Sequence, residues 1–330
     1  MPPKGTKNKA SSLARKLKAL FPPANPACTF QDEDGQAYEE FRDMGKRAPN
    51  TQGTGRVKLS AQRSTLLVLN FTSRASSVPP AHLQALLSFL SAFLLLPVEY
   101  QAHPGAIDFS TNTFTLLGEN YALTPPRLSR SSGGSKKRKQ PSRPPRALDV
   151  FDLFDVLVHA ATAPYASVLA LFDAPLTEDG AEVMGRACGD RVCCVSTRQC
   201  DTLSSLLATA CHELLHTLGV DHEQHDRCVM NAISSDEEDG EEAGEGGGGG
   251  QWRGDWLFLC RNNLRKLQLM HAEWGASPRY MMLLSGDGGG NGGFMTGYHL
   301  GLLSACASAG LKREVAWLGR VVEAFSSEDS

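Results

Sequence analysis

Apolar residues along this chain fall into short runs separated by polar segments, and the length and spacing of these runs predict strands and helices. Short, largely apolar runs predict buried strands at residues 66–71, 98–102, 165–172 and 191–196. Longer segments with helical spacing predict helices at residues 80–96, 150–160, 295–309 and 312–326. The order strand, helix, strand between residues 66 and 102 is typical of an α/β unit.

The same pattern divides the chain into a tail, a domain and two insertions. Residues 1–60 are polar and basic, with few apolar residues in any regular pattern, so we predict a mostly disordered tail. Residues 61–330 carry the predicted strands and helices and are expected to form one domain. An insertion at about 125–147 is rich in Pro, Ser and basic residues, and one at about 233–251 is acidic and then glycine-rich. Both compositions predict disordered surface loops.

One segment combines residue types that bind metal and move protons: His212-Glu213-Leu-Leu-His216-Thr-Leu-Gly219-Val-Asp-His222. On an α-helix, histidines four apart lie on one face, about one turn from each other, where they can bind one ion. Gly219 can adopt positive φ and end the helix, and the reversal can bring His222 to the metal. Three protein ligands leave a fourth position for water, as in catalytic zinc sites, and Glu213 can take that water's proton.

The residues before this motif favour a helix long enough to hold it. Apolar residues from Leu203 to Ala210 follow helical spacing, and Asp201 or Thr202 can serve as the N-cap. The alternative interpretation is an amphipathic core helix with incidental histidines. That alternative does not require Gly219 and His222 at their positions, so we favour the metal site.

The spacing of the motif resembles that of the metzincin metallopeptidases, and the residues after it narrow the resemblance to the archaemetzincins. Cys228, Val229 and Met230 stand where that family has Cys-x-Met. The resemblance implies an α/β fold: a metzincin-like zincin domain with a mixed twisted β-sheet, an active-site helix and C-terminal helices. It also implies that Met230 is the Met-turn residue, which packs beneath the zinc-binding imidazoles.

Similar proteins hold a second, structural zinc with four cysteines, and this chain departs from that pattern at two of them. Glu223 stands at the first position and Asn263 at the last, which leaves Cys228 and Cys260. Glu223 or His225 would have to complete the site, and Asn is a poor zinc ligand beside thiolates. We therefore expect one catalytic zinc and interpret Cys228 and Cys260 as neighbouring buried thiols, with a second zinc as the alternative.

Charge and cysteine content predict the cellular location of the protein. The first twenty residues are basic and free of acids, and no apolar segment of a secretory signal follows them. Nine cysteines without a signal peptide favour reduced thiols in an intracellular protein, cytoplasmic, nuclear or both, that is not secreted. The most apolar run, residues 83–97, is too short to cross a bilayer, so we expect no membrane association.

The insertions suggest partners. The basic cluster from Lys136 to Lys139 is a candidate nuclear import signal, which makes an import receptor a candidate partner. No aromatic residues alternate with these charges, so nucleic acid is a weak candidate. A solvated loop without a partner is the alternative. Ser234 and Ser235 stand beside acidic residues and form a candidate site for an acidophilic kinase.

Together these features predict a zinc metallopeptidase. His212, His216 and His222 would hold the metal, and Glu213 would act as general base on a metal-activated water. The resemblance implies peptide substrates, short ones, cleaved in an aminopeptidase-like manner. The alternative is a catalytically inactive zinc-binding or interaction protein on the same scaffold.

Overall fold

The computed structural model describes most of the predicted domain and two pieces of the predicted tail. The described residues are 20, 35–44, 58–72, 78–108, 110–123, 147–189, 191–223, 228–231, 257–274 and 291–326. Both predicted insertions lie almost entirely outside these residues, together with the Lys136 to Lys139 cluster, His225, Ser234 and Ser235. The expectations for those segments remain predictions.

The described strands and helices alternate along the chain. The strands are β1 (Thr65–Asn70), β2 (Val98–Ala102), β3 (Gly105–Asp108), β4 (Thr113–Leu116), β5 (Glu119–Ala122), β6 (Leu148–Asp149), β7 (Tyr165–Phe172), β8 (Leu176–Glu178), β9 (Ala181–Val183), β10 (Gly185–Cys188) and β11 (Val192–Ser196). The helices are α1 (Tyr38–Met44), α2 (Pro80–Leu94), α3 (Val150–Leu157), α4 (Leu203–Thr217), α5 (Arg261–Trp274), α6 (Asn291–Ser308) and α7 (Lys312–Ser326). The fold is therefore mixed α/β.

A five-stranded sheet lies at the centre, in the order β10-β11-β7-β1-β2. Strands β2, β1, β7 and β11 run parallel to one another, whereas β10 pairs with β11 in the antiparallel direction and forms one edge. Two three-stranded sheets, β3-β4-β5 and β6-β8-β9, accompany it. The antiparallel edge strand matters for function because it lies directly against α4.

Successive residues of the central strands enter two different cores, since side chains alternate across a sheet. Leu66 and Val68 of β1 join a core that includes residues of α2, α4, α5, α6 and α7. Leu67 and Leu69 join a second core, built with α3 and β4. Strands covered on both faces read as continuous apolar runs, which is why the sequence predicted β1, β7 and β11 well.

Most of the predicted elements are confirmed, with shifted ends. The helix predicted at residues 80–96 ends at Leu94, because Leu95 adopts a left-handed conformation with φ 56°. The helix predicted at residues 295–309 begins earlier, at Asn291, and the one predicted at 150–160 finishes as a 3-10 turn over Val158–Ala160. The strands β3 to β5 and β8 to β10 were not predicted, because each spans only three or four residues and most are only partly buried.

The predicted tail contains a folded piece. Residues 35–44 are described, and Tyr38–Met44 form helix α1 with Phe41 fully buried in the first core. The indole nitrogen of Trp317 also donates to the carbonyl of Leu20 at 2.9 Å. Residues 35–44 therefore pack against the domain, which a single aromatic in a charged segment did not reveal, and the boundary at residue 60 stays a prediction.

In the part of the chain that the structure describes, no helix combines the length and apolar character needed to cross a bilayer.

Candidate metal centre

Helix α4 holds the predicted site in a rigid frame. Thr202 is its N-cap, and the Thr202 hydroxyl accepts from the backbone N–H of Ser205 at 3.0 Å, as a capping side chain does. Leu206, Leu207 and Leu214 bury their side chains in the first core. Anchored along one face, the helix presents His212 and His216 from fixed positions.

The helix ends at the predicted glycine in a Schellman motif. Gly219 has φ 87°, its N–H bonds to the carbonyl of His216 at 2.9 Å, and the N–H of Val220 bonds to the carbonyl of Leu215 at 3.0 Å. This reversal satisfies the last carbonyls of the helix and turns the chain back. It brings His222 to the imidazole of His216, as the sequence predicted.

The three histidines converge on one point. Their ligating nitrogens lie within 4.8 Å of one another, and among the described residues they form the group able to hold a metal ion. Nε2 of His216 is 3.0 Å from Nε2 of His212 and 3.2 Å from Nε2 of His222. Tetrahedral zinc at ~2.0–2.1 Å from each nitrogen would set two ligand nitrogens about 3.3 Å apart, close to the observed spacing.

Backbone carbonyls fix the protonation of two of these rings. Nδ1 of His212 is 2.7 Å from the carbonyl of Val229, and Nδ1 of His216 is 2.9 Å from that of Val220. A carbonyl can only accept, so each Nδ1 carries the proton and each Nε2 keeps a lone pair. Two lone pairs 3.0 Å apart fit a cation between them.

Burial keeps the same two rings neutral. It lowers the pKa of His212 to about 4 and that of His216 well below its usual value. The backbone hydrogen bonds oppose this shift only in part. Neutral imidazole is the form that binds a metal, so the environment favours the binding-competent state.

Glu213 lies on the same helix and is 8% exposed. Burial raises the pKa of Glu213 to about 8, opposed by the positive charge of Arg186 and reinforced by the negative charge of Glu178. The pKa falls again when a cation is present at the histidines, because an opposite charge favours the carboxylate. Glu213 can therefore both accept and release a proton near neutrality.

Strand β10 packs against α4 without a side chain at Gly185. A Cβ there would stand 2.8 Å from Cγ2 of Thr209 and 2.9 Å from Cγ of Glu213. Neither distance is tolerable, so only glycine lets the edge strand approach the helix this closely. Gly185 thereby sets the position of the Glu213 side chain.

Met230 is fully buried in the turn that orients His212. It directly follows Val229, and its own carbonyl accepts from the N–H of Glu223 at 2.9 Å. The side-chain amide of Asn231 adds a bond to the carbonyl of Glu223 at 2.7 Å. These two hydrogen bonds attach the turn to Glu223, the residue that follows His222. The packing of Met230 beneath the imidazoles remains a prediction of the resemblance.

The four positions at which the resemblance implies a second zinc also come together, as a buried polar cluster. Cys260 Sγ is 3.4 Å from a carboxylate oxygen of Glu223, and Nδ2 of Asn263 is 3.5 Å from Cys228 Sγ. The hydrogen bond with Cys228, and then burial, raises the pKa of the Cys260 thiol well above its usual value. A fully buried lysine, Lys266, lies near these groups.

The residues of this cluster do not fit a structural zinc, which needs a closed shell of four ligands. Asn263 turns an N–H group toward Cys228, and an N–H cannot ligate. The pKa of the Cys260 thiol lies well above its usual value, whereas zinc binds the thiolate. Lys266 adds a cation beside the place where a second one would bind.

Comparisons with known proteins add little to this picture. No protein-family model matches the chain, and no curated protein sequence matches it. A solved structure that is similar is the crystal structure of archaemetzincin from Methanopyrus kandleri, at 18% identity over 66% of this chain and 98% of that chain, with a TM-score of 0.39. Likeness at this level does not decide the family, so the function has to be argued from the site.

Several groups that shape this centre were not predicted from the sequence. The carbonyls of Val220 and Val229 are backbone atoms, which no residue pattern reveals. Gly185 lies in a strand that was too short to predict. Gln36 lies in the predicted tail, yet it is 5% exposed and contacts the loop that carries His222.

Proposed function

We propose that this protein is a zinc-dependent peptidase in which His212, His216 and His222 bind the metal and Glu213 is the general base. One observation carries the proposal: three imidazoles converge, two of them with Nδ1 held by carbonyls, beside a buried carboxylate on the same helix.

The residues divide the work between them. When bound, zinc would lower the pKa of a coordinated water toward ~7 and polarise the carbonyl of the substrate. The carboxylate of Glu213 accepts the proton of the attacking water and then delivers it to the leaving amine. Gly185 keeps that carboxylate in place by leaving it room beneath β10.

Strand β10 offers a surface for the substrate. It is the edge of the five-stranded sheet and lies against the helix that carries the site. An extended peptide can add to such an edge through backbone hydrogen bonds, with no demand on its sequence. This arrangement supports peptide substrates, and the resemblance to archaemetzincins adds the expectation of short ones, cleaved in an aminopeptidase-like manner.

The test is hydrolysis of a mixed library of short peptides by the zinc-loaded protein and by its Glu213→Gln variant. We expect cleavage by the parent chain and a loss of roughly 10²–10⁴-fold in the variant, with zinc still bound. A zinc-loaded parent that cleaves nothing would favour the alternative, an inactive zinc-binding or interaction protein. Equal cleavage by both chains would exclude Glu213 as the base.

A further inference from the structure

Gln36 connects three parts of the molecule that are far apart in the sequence. It stands two residues before α1 and is buried. Its side chain contacts the loop between α4 and the turn of Met230, and its backbone contacts α5. A buried amide that bridges three segments is well suited to fixing one of them in place.

The side-chain amide binds the loop through both of its ends. Nε2 donates to the carbonyl of Gly219 at 3.1 Å and to a carboxylate oxygen of Asp221 at 3.3 Å. Oε1 accepts from the backbone N–H of Asp221 at 3.3 Å. The residue after Asp221 is His222, the third of the converging histidines.

The backbone of Gln36 is held independently of its side chain. Its carbonyl accepts from Nζ of Lys266 at 2.7 Å and from Nδ2 of Asn262 at 3.2 Å. Burial lowers the pKa of Lys266, and the nearby Glu223 raises it. A substitution of the Gln36 side chain therefore leaves this attachment to α5 available.

The loop needs such a contact because His222 is the one converging histidine that does not lie on a helix. On one side, the bonds of the helix end at Val220, whose N–H reaches Leu215. On the other side, the bond from Glu223 to the carbonyl of Met230 begins the next turn. Gln36 bonds to Asp221, between these two anchors.

We propose that Gln36 is a positioning residue that holds the Gly219–Glu223 loop so that His222 meets the metal. The inference rests on the proposed metal site but concerns affinity for the ion, not the reaction. Removing an outer partner of a metal site weakens binding by about 10–100-fold, and Gln36 acts through the neighbour of a ligand. We therefore expect about a tenfold loss of zinc affinity.

The experiment measures zinc affinity by competition with a chromophoric chelator, using the full chain, the Gln36→Met variant and the Gln199→Met variant. Methionine keeps the length of glutamine and removes its hydrogen bonds. Gln199 is a matched control, because its Oε1 accepts from the N–H of Leu176 at 3.1 Å, outside the loop of His222. Circular dichroism establishes that each chain is folded at the temperature used. The Gln36→Glu variant, which keeps the Oε1 acceptor and loses the donor, serves if methionine prevents folding.

Weaker zinc binding in the Gln36 variant, with unchanged binding in the Gln199 variant, supports the proposal. X-ray absorption of the zinc-loaded Gln36 variant should then show fewer imidazole ligands than the parent. Equal affinity in all folded chains overturns the role of Gln36 while leaving the metal site standing. A parent chain that binds no zinc overturns the metal site and the role of Gln36 together.

Discussion

Two polar clusters share the loop from Gly219 to Glu223, which contributes His222 to one and Glu223 to the other, and they differ in what they can hold. The histidine cluster presents three ligating nitrogens within 4.8 Å, and burial lowers the pKa of His212 and of His216. The cluster of Cys228, Cys260 and Asn263 presents an amide N–H beside a lysine and a Cys260 thiol whose pKa is raised well above its usual value.

The comparison shows that burial alone does not make a metal site. His212 lies buried in one cluster and Cys260 in the other, and burial disfavours charge at both residues. In imidazole this leaves the neutral form that binds metal, whereas in a thiol it leaves the protonated form that does not. The second cluster joins its polar groups by hydrogen bonds within the protein, while Oδ1 of Asn263 has no partner among the described residues.

The largest expected effect is a loss of zinc from variants of the histidine cluster and not from variants of the cysteine cluster. His216→Ala removes the central ligand of the triad and should abolish stoichiometric zinc binding and peptide hydrolysis together. The double variant Cys228→Ala, Cys260→Ala should keep the zinc content of the parent, because neither thiol contributes a ligand. Elemental analysis after gel filtration measures both. Zinc lost from the cysteine variant but not from the histidine variant would reverse the assignment of the two clusters.

A smaller effect is expected where β10 meets the histidine cluster. Gly185→Ala would place a methyl group 2.9 Å from Cγ of Glu213 and displace the proposed base. We expect hydrolysis to fall about 10–100-fold and stability to fall by about 1–3 kcal/mol, with zinc retained. The measurements are kcat/KM, urea unfolding and zinc content. Unchanged kcat/KM would show that the strand can yield without moving the carboxylate.

In the cysteine cluster, the charge of Lys266 can be removed without touching a sulfur. Lys266→Met leaves Glu223 without this nearby cation and the carbonyl of Gln36 without its donor at 2.7 Å. Breaking a buried ionic contact of this kind costs about 3–5 kcal/mol, so the free energy of unfolding measured in urea should fall by that amount. Zinc content should remain that of the parent. A more stable variant would mean that the desolvation of the Lys266 charge costs more free energy than its contacts with Glu223 and Gln36 contribute.

The smallest expected effect lies outside both clusters and concerns pH. Burial lowers the pKa of His271 and of His299 to about 4, from 6.5. Below pH 6.5 the unfolded chain binds protons that the folded chain excludes, so stability is full above this pH and is lost as pH falls toward 4. Each group should contribute about 2 kcal/mol of loss between pH 7 and pH 5. Urea unfolding at the two pH values, repeated with His271→Leu, should show a smaller difference in the variant; an equal difference would place the acid sensitivity elsewhere.

The sequence predicted the histidine cluster better than its surroundings. Residues at fixed spacing on a helix, and a glycine that ends it, determine most of the geometry of His212 and His216. The orientation of the rings depends on carbonyls that only the fold brings near. The hydrogen bond between Gln36 and Asp221 joins residues that are 185 positions apart in the sequence, and no local pattern predicts it.

The elements of the fold likewise divide into those that the sequence predicts and those that it does not. Strands covered on both faces, such as β7, can be predicted because their sequences are continuous apolar runs. The edge strand β10 has four residues and a partly buried pattern, so its sequence does not differ from that of a loop. Helix α1 was missed because a single side chain, Phe41, buries it in the core.

The most direct test of the account is the zinc content of the purified full-length chain after dialysis against a weak chelator. One zinc per chain is the expected result, lost on substitution of His216 and retained on substitution of Cys260. A folded chain that holds no zinc would contradict the metal centre, and two zinc ions per chain would contradict the interpretation of the cysteine cluster.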